Sequence, residues 1–218
     1  MKLLNFLISS ITLSALISCN TQEKNTPEVA TQNKILSNIT SKDTSGQLMK
    51  EDAFWKIIDS SLVVSDSIYE EQIVALTEIL TTLDTNEIIK FDNTYTALLG
   101  GSYDYKLWGA SYVINGGCSA DCFDYFREYL IAHGKKVFYE TLNDPESCVR
   151  WVTLEETENL ECISYSISEA YKQKTGRNIP ITYQPKFELK GESFDEETVY
   201  EQYPKLARKF LINSEEED

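Results

Sequence analysis

The residues best suited to chemistry are concentrated in one stretch, Trp108 to Arg127, which reads WGASYVINGGCSADCFDYFR. Its glycine pair would let a ligand or a second helix approach the backbone closely. Ser119 can cap the next helix, whose free N–H groups would point at the turn, as in an anion site. A cysteine beside that helix start could have a lowered pKa. The candidate ligand-binding residues are therefore Trp108, Asn115, Gly116, Gly117, Cys118, Ser119, Asp121, Asp124 and Arg127.

The same stretch also fits a purely structural corner between two helices. In that interpretation, Gly116 and Gly117 form a tight turn and Asn115 caps the preceding helix. Asp124 and Arg127 then pair on a helix surface, because residues three apart are neighbours there. The sequence leaves both interpretations open.

A catalytic set is difficult to assemble from this sequence. The only histidine, His133, lies about four helical turns beyond Cys118, roughly 20 Å away along one helix. That separation argues against a Cys–His pair within the chain, and we find no nucleophile-elbow motif. An enzyme of unknown reaction that uses the Asn115–Arg127 turn remains the alternative function, and it would need a concave pocket at that turn.

Besides Cys19 the chain contains four cysteines, Cys118, Cys122, Cys148 and Cys162. Their spacing matches no common zinc pattern, so we expect no metal and no cofactor. A Cys148–Cys162 disulfide is plausible. A Cys118–Cys122 disulfide requires Cys118 to precede the helix, because Cα atoms four residues apart inside a helix are near the geometric limit. Buried free thiols are the competing expectation.

The N-terminus has the layout of a secretory signal, with Lys2 followed by an apolar run from Leu3 to Ile17. This run is shorter than the roughly 20 residues that span a bilayer as a helix. Its end, Leu16-Ile17-Ser18-Cys19, resembles the lipobox of bacterial lipoproteins. The resemblance implies cleavage before Cys19 and lipid attachment to its thiol. We therefore expect a protein tethered to a membrane of the cell envelope, on the periplasmic face or the cell surface.

Composition divides the rest of the chain. Residues 1–18 are the expected signal peptide, and residues 19–47 are a polar segment that cannot bury enough apolar surface to fold. We interpret 19–47 as a lipidated flexible tether whose ends lie roughly 30 Å apart. Residues 48–212 are long enough for one domain, and 213–218 form an acidic tail. The formal net charge of −15 argues against nucleic-acid binding, which needs a basic surface.

The periodicity of apolar residues predicts an all-α or nearly all-α domain of seven to nine helices. Capping boxes are expected at Ser67–Glu70 and Asp84–Glu87, and glycine stops at Gly100-Gly101, Gly134 and Gly176. The segment from Ile179 to Leu189 contains two prolines and predicts an extended loop or one edge strand. The expected helices cover 48–59, 67–83, 84–101, 105–114, 119–134, 136–142, 154–175 and 195–210, the last of them interrupted near Pro204.

Several motifs together resemble a bacterial family known as domain of unknown function four-two-four-zero. They are Phe54-Trp55, Trp108-Gly109-Ala110, Ile114 to Ser119, Asp121, Phe123 to Arg127, and Tyr203-Pro204-x-Leu206. The resemblance covers about 160 residues and implies a helical domain without an assigned activity, so it carries over no catalytic residue.

The chain departs from the family pattern in three places. Ser111, Ala120 and Cys122 stand where members often have Ala, an acid and Gly. Loss of the acid weakens a metal site at the turn, and the gain of Cys122 favours a disulfide with Cys118. Most relatives look cytoplasmic and lack an anchor, so the resemblance does not imply an exported function.

We expect a membrane-anchored lipoprotein that presents a helical binding or interaction domain, with an envelope protein as its partner. An accessory protein that blocks its partner through surface charge is a further hypothesis of the same kind. An enzyme at the Asn115–Arg127 turn is the alternative from a different class.

Overall fold

A computed structural model describes residues 46–153 and 163–212. The predicted all-α fold is confirmed. The described residues form nine α-helices, together with a 3₁₀-helix at Pro145–Arg150 and a π-helical turn at Arg208–Ile212. The α-helices are α1 (Glu51–Val64), α2 (Tyr69–Thr82), α3 (Thr85–Gly101), α4 (Tyr105–Asn115), α5 (Ala120–Ala132), α6 (Gly134–Asn143), α7 (Ile163–Thr175), α8 (Val199–Gln202) and α9 (Pro204–Ala207).

An aromatic group, which we call the interior cluster, joins α1, α3 and α6. Phe54 stacks on Phe91 with ring centroids 4.5 Å apart, and Trp55 packs against Phe138 and Tyr139. The interior cluster comprises Phe54, Trp55, Phe91, Phe138 and Tyr139, all at most 2% exposed. The Phe54-Trp55 motif therefore lies at the centre of the hydrophobic core.

One carboxylate satisfies the polar atoms of the interior cluster. Glu51 Oε1 accepts hydrogen bonds from Trp55 Nε1 at 2.9 Å and from the Tyr139 hydroxyl at 2.8 Å. Burial raises the pKa of Tyr139, so its hydroxyl keeps the proton that it donates. These bonds link the first turn of α1 to α6.

Buried side-chain hydrogen bonds connect α2 with its neighbours. Gln72 Nε2 donates to the Ala132 carbonyl at the end of α5, and Ser166 Oγ on α7 donates to the Ile73 carbonyl. Both distances are 2.8 Å. Buried polar groups cost free energy unless they are paired, so these bonds make the helix packing specific.

Some of the predicted helix boundaries are confirmed and one is wrong. Asp84 caps α3 by accepting from the Glu87 amide, and α3 ends at the glycine pair, as expected. The capping box at Ser67–Glu70 is wrong, because Ser67 has a left-handed φ of 64° and α2 is preceded by Ile68. The tight connection from α1 places Asp66 and Ser67 in left-handed backbone, which removes Ser67 from the capping position.

An extended strap, residues 177–198, lies across α3 and α4. The predicted loop is confirmed, and no strand forms over 179–189; the one β-bridge in the described chain joins Asp104 and Lys190. Thr182 Oγ1 bonds to Asn93 Oδ1 at 3.0 Å. The Phe187 ring occupies the space beside Gly100, where a Cβ would lie 2.0 Å from it.

Some predictions fall on residues outside the described part of the chain. They include the signal peptide, most of the tether, the acidic tail and the first nine residues of the helix expected over 154–175. The remainder of that helix is α7, which ends before Gly176 as predicted. None of the helices in 46–153 and 163–212 combines the length and the apolar character needed to cross a membrane.

Candidate functional site

The predicted turn is a corner between α4 and α5 whose backbone needs glycine. Gly116 and Gly117 have φ values of 62° and 138°, and both amides donate to the Tyr112 carbonyl. A Cβ at either glycine would meet no atom within 4 Å, so the requirement comes from left-handed backbone rather than from close packing. Asn115 Nδ2 donates to the Ser111 carbonyl at 2.8 Å, which secures the last turn of α4.

A disulfide closes the corner on the α5 side. Ser119 caps α5, with its Oγ accepting from the Cys122 amide at 3.2 Å, as predicted. Cys118 therefore precedes the helix and bonds covalently to Cys122, with their Cα atoms 5.3 Å apart. This separation is typical of disulfides and satisfies the condition set by the sequence.

The second disulfide that the sequence allowed is absent. Cys148 is a free thiol with no exposed surface, so of the two alternatives that the sequence left open for it the buried free thiol is the one found. Burial raises the pKa of Cys148 to about 12 and keeps it a neutral thiol at physiological pH. Cys162 lies outside the described residues.

Packed aromatic rings, which we call the corner stack, lie behind the turn. Trp108 stacks between Tyr105 and Phe123, at centroid distances of 6.1 and 5.1 Å and interplanar angles below 10°. Trp108 Nε1 also donates to the Cys118 carbonyl at 2.9 Å. The corner stack comprises Tyr103, Tyr105, Trp108, Phe123 and Phe194.

Arg127 ties the corner stack to α3 and lies only 7% exposed. Its guanidinium carbon lies 4.8 Å from the Tyr103 ring centroid and 4.9 Å from that of Phe123, as in cation–π contacts. Nη1 donates to the Leu99 carbonyl, and Nη2 pairs with Asp124. The predicted Asp124–Arg127 pair is confirmed, but the arginine is an interior group rather than a ligand-facing one.

The outer side of the corner is open to solvent, and we call this surface the corner face. The Asp124 side chain is 59% exposed and Tyr125 is 39% exposed. The structure thus brings all nine predicted residues into one corner but separates their roles. Trp108 and Arg127 support it from within. The corner face consists of Ser119, Ala120, Asp121, Asp124 and Tyr125.

Residues far along the sequence complete the corner, and sequence reasoning missed them. Phe194 from the strap packs against Tyr105 and Trp108. Gly109 makes room for this contact, because a Cβ there would lie 3.0 Å from Tyr203 and 3.3 Å from Phe194. The one local signal was a glycine within a predicted helix.

The described residues offer no ready-made metal centre. Across 46–153 and 163–212, no three His, Cys, Asp or Glu side chains are grouped so as to hold a metal ion. The acids of the corner face, Asp121 and Asp124, have no histidine or third acid beside them in such a group.

Comparison with known proteins yields one match. Residues 49–173, more than half of the chain, match the family described as "Protein of unknown function (DUF4240)". The match contains the whole corner from Asn115 to Arg127 but ends before Tyr203-Pro204, so the resemblance at that later motif lies outside it. No curated protein and no solved structure matches the chain. On the strength of the family match, the chain belongs to the DUF4240 family.

Proposed function

We propose that this member of the family is a lipid-anchored protein of the bacterial cell envelope whose helical domain binds an envelope protein. The corner face is the binding surface. The disulfide-braced corner is the observation that carries the proposal, because it presents exposed side chains on an immobilised backbone.

The N-terminal sequence supports the anchor. Leu16-Ile17-Ser18-Cys19 follows an apolar run and has the order of residue types found at lipoprotein cleavage sites. Acylation of the Cys19 thiol and of the new N-terminal amine would supply more than one buried chain. Stable membrane attachment needs such a combination, since one acyl chain binds only marginally.

The Cys118–Cys122 disulfide supports an exported domain. Disulfides persist in oxidising compartments such as the periplasm and the cell surface, and they are rare in the cytosol. Cys122 is also one of the positions at which the chain departs from the family pattern. The bond that Cys122 forms with Cys118 would be retained in such a compartment.

Rigidity of the corner supports binding through its face. The disulfide, the Ser119 cap and the Trp108–Cys118 hydrogen bond together fix the backbone from Cys118 to Cys122. A surface that is already ordered loses little conformational entropy when a partner binds.

The chemistry of the corner face indicates the kind of partner. Asp121 and Asp124 provide negative charge, and Tyr125 provides a partly exposed ring one turn beyond Asp121. A cationic protein surface rich in arginine fits this combination, since guanidinium groups pair with carboxylates and stack on rings. The enzyme alternative loses its nucleophile while Cys118 is held as a disulfide.

The anchor is tested with Cys19→Ser. The unaltered protein should enter the detergent phase on Triton X-114 partition and carry acyl chains on its N-terminal peptide by mass spectrometry. The Cys19→Ser variant should lack the acyl chains and remain in the aqueous phase. Acylation that survives the substitution, or its absence from the unaltered protein, would overturn the anchor.

The binding surface is tested by photo-crosslinking in living cells. A photoreactive amino acid replaces Tyr125 on the corner face or, as a matched control, Tyr165, which is a 53% exposed tyrosine on α7. Position 125 should give a discrete adduct with one envelope protein that position 165 does not give. Asp121→Lys should weaken that adduct. Equal adducts at both positions, or none at 125, would reject the corner face.

A further inference from the structure

We infer that the Cys118–Cys122 bond is a thiol–disulfide exchange site, which a dithiol protein of the envelope opens without unfolding the domain. The inference rests on the proposed function for its location, because such partners would meet the corner in an oxidising compartment. It adds a reversible covalent step to the surface proposed for binding.

Access to solvent distinguishes this bond from the other described cysteine. Cys118 and Cys122 are both partly exposed, whereas Cys148 has no exposed surface. Cys118 packs against the hydrophobic core on one side. Cys122 lies in the first turn of α5 beside the exposed Asp121, so it is the sulfur that a partner reaches from the corner face.

Hydrogen bonds that do not involve sulfur hold the corner in place. The Cys118 carbonyl accepts from Trp108 Nε1, and the Cys122 amide donates to Ser119 Oγ. The Gly117 amide donates to the Tyr112 carbonyl at 2.9 Å. None of these contacts uses a sulfur atom, so we expect them to persist after reduction and the reduced domain to keep its fold.

The short loop closed by the disulfide also indicates that the domain keeps its fold when the bond is reduced. The two cysteines are separated by four positions. The entropy that a disulfide removes from the unfolded chain grows with the length of its loop, so a loop this short contributes less to stability than most structural disulfides do.

A nearby hydroxyl favours Cys118 as the leaving group. Ser111 Oγ lies 3.5 Å from Cys118 Sγ and is buried on α4. It donates to the Trp108 carbonyl in the oxidised structure, and rotation of its hydroxyl would direct the proton toward a thiolate. Thiolates next to a helix N-terminus are also stabilised by its free N–H groups.

The exchange proceeds in two displacements. A partner thiolate attacks Cys122 Sγ, a new intermolecular S–S bond forms, and the Cys118–Cys122 bond breaks to release the Cys118 thiolate. The second partner thiol, as thiolate, then attacks the partner sulfur of the mixed disulfide and releases the Cys122 thiolate. Each released thiolate takes up one proton. The chain gains two electrons and two protons, and the partner dithiol loses the same number and becomes a disulfide.

The test uses the full-length protein in mild detergent with dithiothreitol and no denaturant, followed by iodoacetamide alkylation and peptide mass spectrometry. Cys118 and Cys122 should be alkylated within minutes while Cys148 stays unmodified and the far-UV circular dichroism spectrum is retained. Alkylation of the pair only in denaturant, or loss of the helical spectrum on reduction, would overturn the inference. Neither readout involves the proposed binding partner, so this inference and the proposed function can fail separately.

The reduction rates of two variants, each with one buried serine replaced by alanine, distinguish a role of the hydroxyl at the leaving group from a general effect on packing. Ser111→Ala removes the hydroxyl beside Cys118, and we expect it to slow reduction by about threefold. Ser65→Ala is the matched control, because Ser65 is also buried and also donates to the carbonyl three residues before it, but lies between α1 and α2, away from the corner. The control should leave the rate unchanged. Equal rates for both variants would overturn Cys118 as the leaving group.

The double variant Cys118→Ser with Cys122→Ser tests whether the fold depends on the bond. It should melt cooperatively with a Tm lowered by about 4–8 °C. A variant without a cooperative transition would show that the disulfide is required for folding and would overturn the exchange role.

Discussion

The interior cluster and the corner stack are two groups of rings built from the same residue types and placed to different effect. All the rings of the interior cluster are at most 2% exposed and lie between helices. In the corner stack, Phe123 is fully buried, but Tyr103, Tyr105, Trp108 and Phe194 are partly exposed. Each group contains rings from the motifs quoted in the sequence, Phe54 and Trp55 in the first and Trp108 and Phe123 in the second. A motif alone therefore does not tell where its residues lie in the fold.

The polar partners of the two groups explain the difference. The interior cluster has one carboxylate, Glu51, that closes a network within the core. The corner stack has a buried arginine that reaches the end of α3 and an indole that holds the Cys118 carbonyl. Rings in the first group stabilise the whole domain, whereas rings in the second immobilise one surface.

The sharpest test of this comparison is Trp55→Ala. It removes a large ring that is 2% exposed and one of the two hydrogen bonds to Glu51 Oε1. We expect the free energy of unfolding to fall by about 3–5 kcal/mol, the usual range for deletion of a buried aromatic side chain. Urea unfolding followed by far-UV circular dichroism measures this loss.

Tyr105→Ala in the corner stack is the matched substitution for that test. Tyr105 is partly exposed, so its removal deletes less buried surface and should cost less than half as much. An equal loss for the two variants would contradict the division into an interior and a surface group.

Local signals in the sequence predicted most of the helices and the corner itself. Apolar periodicity located α1 to α7, and the Ser119 and Asp84 caps were visible because capping depends on residues three positions apart. The Cys118–Cys122 bond could be stated as a condition on the start of α5. The capping box at Ser67 was wrong because Asp66 and Ser67 both have left-handed backbone, so that α2 begins after the predicted position. Neither residue is a glycine, so no residue type indicated this conformation.

Contacts between distant segments could not be predicted in the same way. Phe187 reaches Gly100 and Phe194 reaches Gly109, and each pair is separated by more than eighty residues. The only sequence signal for these contacts is the glycine itself. The absence of its side chain does not identify the distant residue that fills the space. The state of Cys148 depends equally on tertiary burial, and its spacing from Cys162 left both a disulfide and a buried free thiol open.

The second prediction concerns the charged group inside the corner stack. Arg127→Ala removes the hydrogen bond to the Leu99 carbonyl and both cation–π contacts. We expect the free energy of unfolding to fall by about 2–3 kcal/mol, because a hydrogen bond to a charged group is lost together with both cation–π contacts. The Leu99 carbonyl keeps its hydrogen bond from Ser102 Oγ. Urea unfolding measures this value, and hydrogen exchange should also rise at the corner.

Asp124→Asn is the control for Arg127, because it weakens the same ion pair from the exposed side. The Asp124 side chain is 59% exposed, so the pair is screened by solvent and we expect a loss below about 1 kcal/mol. A loss as large as that of Arg127→Ala would mean that the ion pair, rather than the ring contacts and the Leu99 carbonyl, holds the arginine.

The substitution with the smallest expected effect should raise, not lower, the free energy of unfolding. Its position is next in sequence to a residue of the interior cluster. Asp92 follows Phe91 on α3, and burial raises the pKa of its carboxyl from 3.8 to about 6. Between those values the folded state keeps a proton that the unfolded state has lost, so stability falls as the pH rises through this window and stays lower above it. Asp92→Asn removes this cost. We expect it to raise the free energy of unfolding by about 1–2 kcal/mol near pH 7.5, a range that allows for partial solvent exposure.

The pH dependence of this gain distinguishes charge burial from simple repacking. Near pH 4 the folded wild-type chain carries a protonated Asp92, so the advantage of Asp92→Asn should nearly disappear there. Glu78→Gln on the exposed face of α2 is the control, and its effect should stay within about 0.5 kcal/mol at both pH values. A gain for Asp92→Asn that is equal at both pH values would mean that shape rather than charge sets the cost. The carboxylate at position 92 would then carry no penalty for charge burial next to the interior cluster.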